Sequence, residues 1–384
     1  TSHLKEKGIL KDVGGASYLT ELVNLVPSAA HVVHYATIVK EKKVLRDLIT
    51  TSSEISESAY ETAKDTEILL DEIEQKILSI SQHSTTKRFT HINEDLKSAY
   101  ERIEKLHQGG GRLRGISSGF EDLDNITLGF QKSDFIVIGA RPSLGKTSLA
   151  LDIAKNAAVL NNTPVGVFSL EMSRDQIIDR LISTESQVSL WKLRSGRISD
   201  DIEFEMIQRA LDRLSQASIY IDDTPSPNIL QMRSMARRLQ VEHGLGLIIV
   251  DYLQLITPRS SGYDNMVHQI TEISRGLKSL ARELSVPVIA LSQLSREVDK
   301  RDSREPRLSD LRESGAIEQD ADLVLFISRK DKDRKDATPE EQNLTEIVVA
   351  KHRNGATGII KLMFDPERAT FKSIDRHHHA PIGY

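Results

Sequence analysis

Apolar residues in the first part of the chain recur at three- and four-residue steps. Val32, Ala36, Val39, Val44, Leu45, Leu48 and Ile49 share one stripe after Pro27-Ser28, and Ile68, Leu69, Ile73, Ile77 and Leu78 repeat the spacing. That period predicts two amphipathic helices, with Pro27-Ser28 as the start signal of the first. No acid–base pair or metal-ligand spacing accompanies them, so residues 1–86 read as a helical packing or docking module. After the polar stretch Ser81 to Lys87, Thr90 is the expected cap of another helix, with Ile92, Leu96, Tyr100, Ile103 and Leu106 on one face and Gly109-Gly110-Gly111 at its end. Such a helix has nothing within its own segment to bury that face against. It must dock on the rest of its chain or on a neighbouring copy.

From about Phe120 the texture changes to short apolar runs: Phe135 to Ile138, Val165 to Leu170, Leu247 to Val250, Val288 to Leu291, Leu323 to Ile327 and Ile347 to Ala350, with Ile359 to Phe364 as a last strand. Helical patterns separate them, which predicts an α/β domain built on a mainly parallel sheet. Ligands of such sheets gather at the carboxyl ends of the strands, so the residue after each run is where chemistry is expected.

The bulk properties add boundaries. At 384 residues, with 39% apolar and 28% charged residues, two domains are the default for a globular chain. No apolar run approaches the roughly 18 residues that span a bilayer, and the start carries no signal-peptide core, so a cytoplasmic protein with no membrane partner is expected. The absence of cysteine excludes disulfides, thiolate zinc sites and cysteine nucleophiles. A formal net charge of -5 does not advertise nucleic-acid binding, yet a basic groove is compatible with an acidic exterior.

The first strand end carries the sharpest signal. Ala140-Arg141-Pro142-Ser143-Leu144-Gly145-Lys146-Thr147 lies between a buried run and a helical pattern, where a P-loop must sit, with Ala140 in place of the usual first glycine. Backbone N–H groups there wrap phosphates at a helix N-terminus, Lys146 reaches the β and γ phosphates of ATP, and the Thr147 hydroxyl ligates Mg2+. Asp251 ends another apolar run. An aspartate in that place often caps a helix or turn, but with a P-loop upstream it reads as the Walker-B ligand of the metal. Glu171 follows the run after the P-loop helix and suits the carboxylate that orients water, provided the two strands are neighbours; it could equally cap the helix near Ser173. Gln293 is either a γ-phosphate sensor or a loop glutamine. Lys351 and Arg353, before a tight turn, are either a cationic pair for a neighbouring subunit's nucleotide or a solvated turn.

Arg141 to Thr147, Ser169-Leu170-Glu171-Met172-Ser173, Val250-Asp251-Tyr252-Leu253-Gln254, Ala290 to Arg296 and Asp310 to Asp322 together resemble, in order, the motifs of the bacterial replicative DNA helicases of the DnaB-like family. The resemblance covers essentially the whole chain. It implies a RecA-like P-loop NTPase domain at residues 113–384, preceded by an all-α, partial N-terminal collar at 1–86 and a linker helix with a glycine hinge at 87–112. It implies a homohexameric ring whose linker helix docks on the adjacent subunit, with ATP and Mg2+ as cofactors, and translocation with 5'-3' polarity on single-stranded and forked DNA. Primase and a helicase loader are the partners implied. By motif position Glu171, Gln293, Lys351 and Arg353 carry over as catalytic groups, Thr147 and Asp251 as metal contacts, and Arg312, Glu313 and Gly315 as the loop tracking DNA. The residues alone suggest less for that loop: from Arg296 through Arg312 six Lys/Arg mix with five acidic residues, the texture of a solvated segment. Family members carry more helical residues ahead of the segment resembling His3 to Gly8, hence the partial collar. A filament-forming RecA-type recombinase, a small-molecule kinase and a nucleotide-switched scaffold for primase or loader are the alternative readings.

Overall fold

The computed structural model describes residues 32–60, 92–108 and 114–374 apart from 199, 259–265, 302–304, 312–314, 333 and 335, with scattered positions among 8–18 and 66–77. Its contacts divide the chain into two compact units, Thr1–Asp95 and Leu96–Tyr384. In the first, helix α1 (Val32–Tyr60) runs eleven residues beyond the apolar stripe that predicted it. The described positions 69, 73 and 77 of the second expected helix are helical, and Lys76 Nζ meets Glu54 Oε2 of α1 at 2.8 Å. Pro27-Ser28, Ile68, Leu78, Thr90 and Gly109 to Gly111 lie outside the described residues. Helix α2 (Ile92–Gln108) forms where the periodicity placed it, yet Ile92, Leu96, Tyr100 and Ile103 are 52–67% exposed.

The second unit is built on a nine-stranded sheet. Its strands are β1 (Phe135–Ala140), β2 (Val165–Ser169), β3 (Ile219–Asp222), β4 (Leu247–Asp251), β5 (Val288–Gln293), β6 (Leu323–Ser328), β7 (Leu344–His352), β8 (Gly358–Asp365) and β9 (Thr370–Ser373), in the spatial order β3-β2-β4-β5-β1-β6-β7-β8-β9. The first six run parallel to one another; β7, β8 and β9 are added antiparallel at one edge. β1, β2, β4 and β6 are buried along their entire length, so their two covered faces appear in the sequence as unbroken apolar runs. Helices α3 (Glu121–Thr127), α4 (Lys146–Lys155), α5 (Arg174–Ser186), α6 (Leu190–Ser195), α7 (Asp201–Gln216), α8 (Ile229–His243), α9 (Met266–Leu284), α10 (Gly315–Asp320) and α11 (Pro339–Asn343) are the remaining described α-helices of this unit. α9 buries Ile270, Ile273, Leu277, Leu280 and Leu284 at helical spacing, each such side chain contributing about 1.5–3 kcal/mol. No described helix is long and apolar enough to cross a membrane.

The short strand β9 is fastened to α4. Buried Asp152 of that helix accepts hydrogen bonds from Thr370 Oγ1 at 2.8 Å and Phe371 N at 2.7 Å. Burial pushes its carboxyl from the ordinary 3.8 up to about 7, although both hydrogen bonds favour the charged form. The native chain therefore holds a proton that the unfolded chain releases from about pH 4 upward. Stability falls as pH climbs from about 4 to about 7, at up to roughly 1.4 kcal/mol per pH unit, and then levels. Asp152→Asn keeps both contacts, with Oδ1 accepting from Phe371 N and Nδ2 donating to Thr370 Oγ1. Its melting temperature should gain on that of the native chain between about pH 5 and about pH 7.5; parallel melting curves would contradict this titration.

Candidate nucleotide site

β1 closes at Ala140, which pairs in register with Gln293 of β5 and Ile327 of β6. Ala140 thus belongs to the strand rather than to the loop, and a Cβ is unstrained there. The chain turns through Arg141 to Leu144 and enters α4 at Lys146 with Gly145 at the N-cap, φ +92°. A Cβ on Gly145 would lie 2.9 Å from Phe371 Cζ and 3.0 Å from Phe364 Cε2, so both conformation and packing require glycine. The first N–H groups of α4 have no intrahelical acceptor and point, with the helix dipole, into the cleft. The Arg141 guanidinium does not join them: it donates to Asp299, with Nη2 at 2.6 Å, and to Leu294 O at 2.9 Å, bracing the turn from behind. Lys332 Nζ donates to Ser143 O at 3.1 Å.

Inside the cleft Lys146, Thr147 and Asp251 converge. Thr147 Oγ1 donates to Asp251 Oδ2 at 2.6 Å, Lys146 Nζ stands 3.7 Å from Asp251 Oδ1, and the same ammonium lies 4.0 Å from the Tyr252 ring centroid. Burial lowers the Lys146 pKa while Asp251 and Glu171 pull it back up. Asp251 Oδ1 is buried and accepts no hydrogen bond. A buried carboxylate oxygen without a hydrogen bond, next to a hydroxyl and facing a phosphate cradle, fits Mg2+, which takes one or two protein oxygens and fills its octahedron with phosphate oxygens and water. Three or more carboxylates or imidazoles are not needed for that, and none cluster so among the described residues.

Glu171 follows the end of β2, but two strands, β4 and β5, stand between β2 and β1, so the neighbouring strands expected from sequence are not adjacent. The carboxylate nevertheless lines the same cleft of about 590 Å3 as Lys146, because Leu170 N donates to Asp251 O at 2.8 Å and draws the end of β2 to the Walker-B position. Its capping alternative falls away: the N-cap of α5 is Ser173. Gln293 is the last residue of β5 rather than a loop residue, and faces both this cleft and a second one of about 480 Å3 shared with Tyr252 and Arg296. Sequence reading missed Arg180 and Arg194, which enter the cleft from α5 and α6, Phe364, near the end of β8, and Ala369 from the β8–β9 connection. Neither the arginines nor Ala369 follow an apolar run, so no strand-end signal marked them. Burial and then Arg194 lower the Arg180 pKa, while Asp251 and Glu171 raise it.

Lys351 and Arg353 are elsewhere. β7 extends to His352, farther than the expected run, and pairs antiparallel with β6 so that His352 lies opposite Leu323. Both cations therefore stand at the amino end of β6. The P-loop is level with Ile327, roughly 13 Å farther along the strand. Lys351 Nζ donates to Ala321 O at 2.7 Å and to Glu318 O. Arg353 donates to Gln319 O and stands 3.3 Å from Asp322 Oδ1. Arg312 and Glu313 lie outside the described residues; Gly315 is the exposed first residue of α10.

A P-loop leading from a buried strand into α4, with polar groups ending the strands beside it in a mainly parallel sheet, defines a RecA-like nucleotide-binding domain. Comparison with known proteins narrows the class. Residues 115–373 match the DnaB-like helicase C terminal domain and residues 1–41 the DnaB-like helicase N terminal domain. The chain is 46% identical over 376 residues to the replicative DNA helicase DnaB of Geobacillus stearothermophilus, and 44% identical over 376 residues to the replicative DNA helicase DnaC of Bacillus subtilis. Each alignment covers 98% of this chain and 82% of the relative. Among solved structures, a DnaB-like replicative helicase described with its interactions with primase superposes with a TM-score of 0.74 at 35% identity, covering 97% of this chain and 87% of that one. A second solved structure, an ATPase domain, does so with a TM-score of 0.70 at 38% identity over 75% of this chain and 100% of that one. The chain belongs to the DnaB-like family of replicative DNA helicases, and its activity is ATP-dependent unwinding of DNA in replication.

The packing at Gly145 yields a test of the site's frame. Gly145→Ala should cost about 1–3 kcal/mol by chemical denaturation and weaken nucleotide binding with Lys146 untouched. An unchanged denaturation midpoint would contradict the close approach of Phe364 and Phe371.

Proposed function

We propose that copies of this chain close into a ring-shaped homohexamer that binds Mg2+ and ATP between adjacent subunits and moves along one strand of forked DNA. The observation that supports this reading best is the placement of Lys351 and Arg353 at the end of the sheet opposite their own P-loop. They serve a nucleotide held by another copy. In cis, the backbone of residues 140–147 and Lys146 hold the phosphates, and Thr147 with Asp251 holds the metal. Mg2+ would neutralise charge on the β and γ oxygens. Glu171 orients a water whose oxygen bonds to the γ phosphorus as the bond to the β–γ bridging oxygen breaks, and the water's proton passes to the carboxylate. Gln293, which lines the same cleft, contacts the γ phosphate. Arg353 and Lys351 of the next subunit stabilise the charge that develops.

Assembly has its own support. Exposed apolar residues are also present on α6 and α7, where Trp191, Ile202 and Phe204 are 56–63% exposed. Packing the exposed stripe of α2 on them in a neighbouring copy would bury both. We assign Arg312, Glu313 and Gly315 to the DNA strand, with backbone N–H groups and one guanidinium holding phosphates without reading bases, as a processive motor requires. Primase and a loader are assigned as partners of the N-terminal helical residues, 5'-3' as the polarity, and the cytoplasm, where the DNA is, as the place of work. A recombinase, a kinase and a passive scaffold are set aside with the family membership.

Glu171→Gln should leave Mg–ATP binding intact and lower turnover by about 100- to 10,000-fold. Undiminished turnover would remove Glu171 from the reaction. Arg353→Ala should lower DNA-stimulated turnover by roughly a thousandfold or more at unchanged nucleotide affinity. Both are read by equilibrium binding and steady-state hydrolysis on material of known mass in solution. A hexamer that hydrolyses ATP but neither translocates on nor unwinds a fork would overturn the motor.

A further inference from the structure

The cations assigned to the neighbour's nucleotide are not idle in this chain. Among the described residues they hold the last turn of α10, the helix that leads away from the assigned DNA loop. Lys351 Nζ donates to Glu318 O and Ala321 O, and Arg353 Nη2 to Gln319 O. Glu318 O and Gln319 O belong to the last turn of the helix, where carbonyls lack an intrahelical N–H donor, and Ala321 O follows it. Elsewhere α10 packs on α9, with Ile317 as its buried apolar anchor and Ser274 Oγ of α9 donating to Asp320 Oδ2 at 2.9 Å. Only a few residues separate this grip from Gly315.

A lysine and an arginine side by side, satisfied by neutral carbonyls and by one side of Asp322, are poised to exchange for a stronger anion. Asp322 is already committed. Its Oδ2 accepts from Phe135 N at 2.8 Å and from Lys278 Nζ, while its Oδ1 faces Arg353 at 3.3 Å. A triphosphate offered by another copy carries more charge than the carbonyls and takes bidentate donors from a guanidinium.

Resting on the trans assignment above, we propose that Lys351 and Arg353 are also positioning residues for the DNA segment: they clamp the carboxyl end of α10 when the neighbour's site is empty and release it when they bind the neighbour's γ phosphate. One exchange of hydrogen bonds then ties nucleotide occupancy at a subunit interface to the freedom of the helix behind Gly315. Capping and trans contact are alternatives, not simultaneous duties.

The test uses assembled rings of the full chain and hydrogen–deuterium exchange of the segment 315–322, with a non-hydrolysable ATP analogue and Mg2+ as the probe. In the native ring the analogue should speed exchange of that segment. In rings carrying Lys351→Ala with Arg353→Ala, exchange should already be fast without nucleotide, and the analogue should add nothing. Unaltered protection in the nucleotide-free double variant, or a nucleotide effect that survives in it, would overturn the proposal. The DNA-stimulated hydrolysis rate of the same rings separates the two readings. A lost rate with unaltered protection discards the clamp alone. An unaffected rate discards the trans role and the exchange together. Gln319→Ala, which alters a side chain and leaves its carbonyl in place, should behave as the native chain, and a ring in which it speeds exchange would count against the backbone clamp.

Discussion

Six strands of this sheet run in one direction, and each delivers its carboxyl end to the same edge. Ala140 with the P-loop, Asp251, Gln293 and the segment leading to Glu171 follow four of them, so convergence on one cleft is a consequence of strand polarity rather than of any long-range contact. β7 reverses the direction. By running antiparallel to β6 it carries Lys351 and Arg353 to the amino edge, out of reach of their own nucleotide. A single change of strand direction thus separates Lys351 and Arg353 from the residues that line the cleft.

Within the cleft the charges are arranged to prefer an anion with a metal. Lys146, Arg180 and Arg194 face Asp251 and Glu171, and the open end of α4 adds its dipole. Lys146 leans on Asp251 and on the face of Tyr252, and Thr147 closes on the same carboxylate. Those contacts give partners to groups that burial would otherwise leave unpaired. The frame around them is stiff. Phe364 and Phe371 pack 4.9 Å apart behind Gly145, and Asp152 fastens β9 to the helix that begins there.

The most legible parts of the sequence were those buried on both sides. β1, β2, β4 and β6 have no polar alternation, and each is marked by an unbroken apolar run. β3 and β9, the two edge strands, were not expected because each is only partly buried: Ile219–Asp222 is half-buried, and in Thr370–Ser373 only the first two residues are buried. Missing β9 also hid Phe371, hence the reason that Gly145 must be glycine. The ends of β7 were illegible because only its middle is apolar, so Lys351 read as a turn residue when it lies within the strand. Glu171 was singled out by its place after a run and does line the cleft, although the condition attached to it, adjacency of β1 and β2, is not met: the sheet inserts β4 and β5 between them. Arg180 and Arg194 sit within helices whose pattern gives no hint of the cleft. The DNA residues rested on family resemblance alone, and the mixed charges around them pointed the other way.

In the proposed ring one nucleotide is served by two chains. Mixing is the direct measurement. Rings of Lys146→Ala subunits and rings of Arg353→Ala subunits should each hydrolyse ATP poorly, whereas rings assembled from both should regain part of the native DNA-stimulated rate, because some interfaces then pair an intact P-loop with an intact Arg353. Mixed rings no more active than either parent, with assembly confirmed by mass, would place the whole site within a single chain.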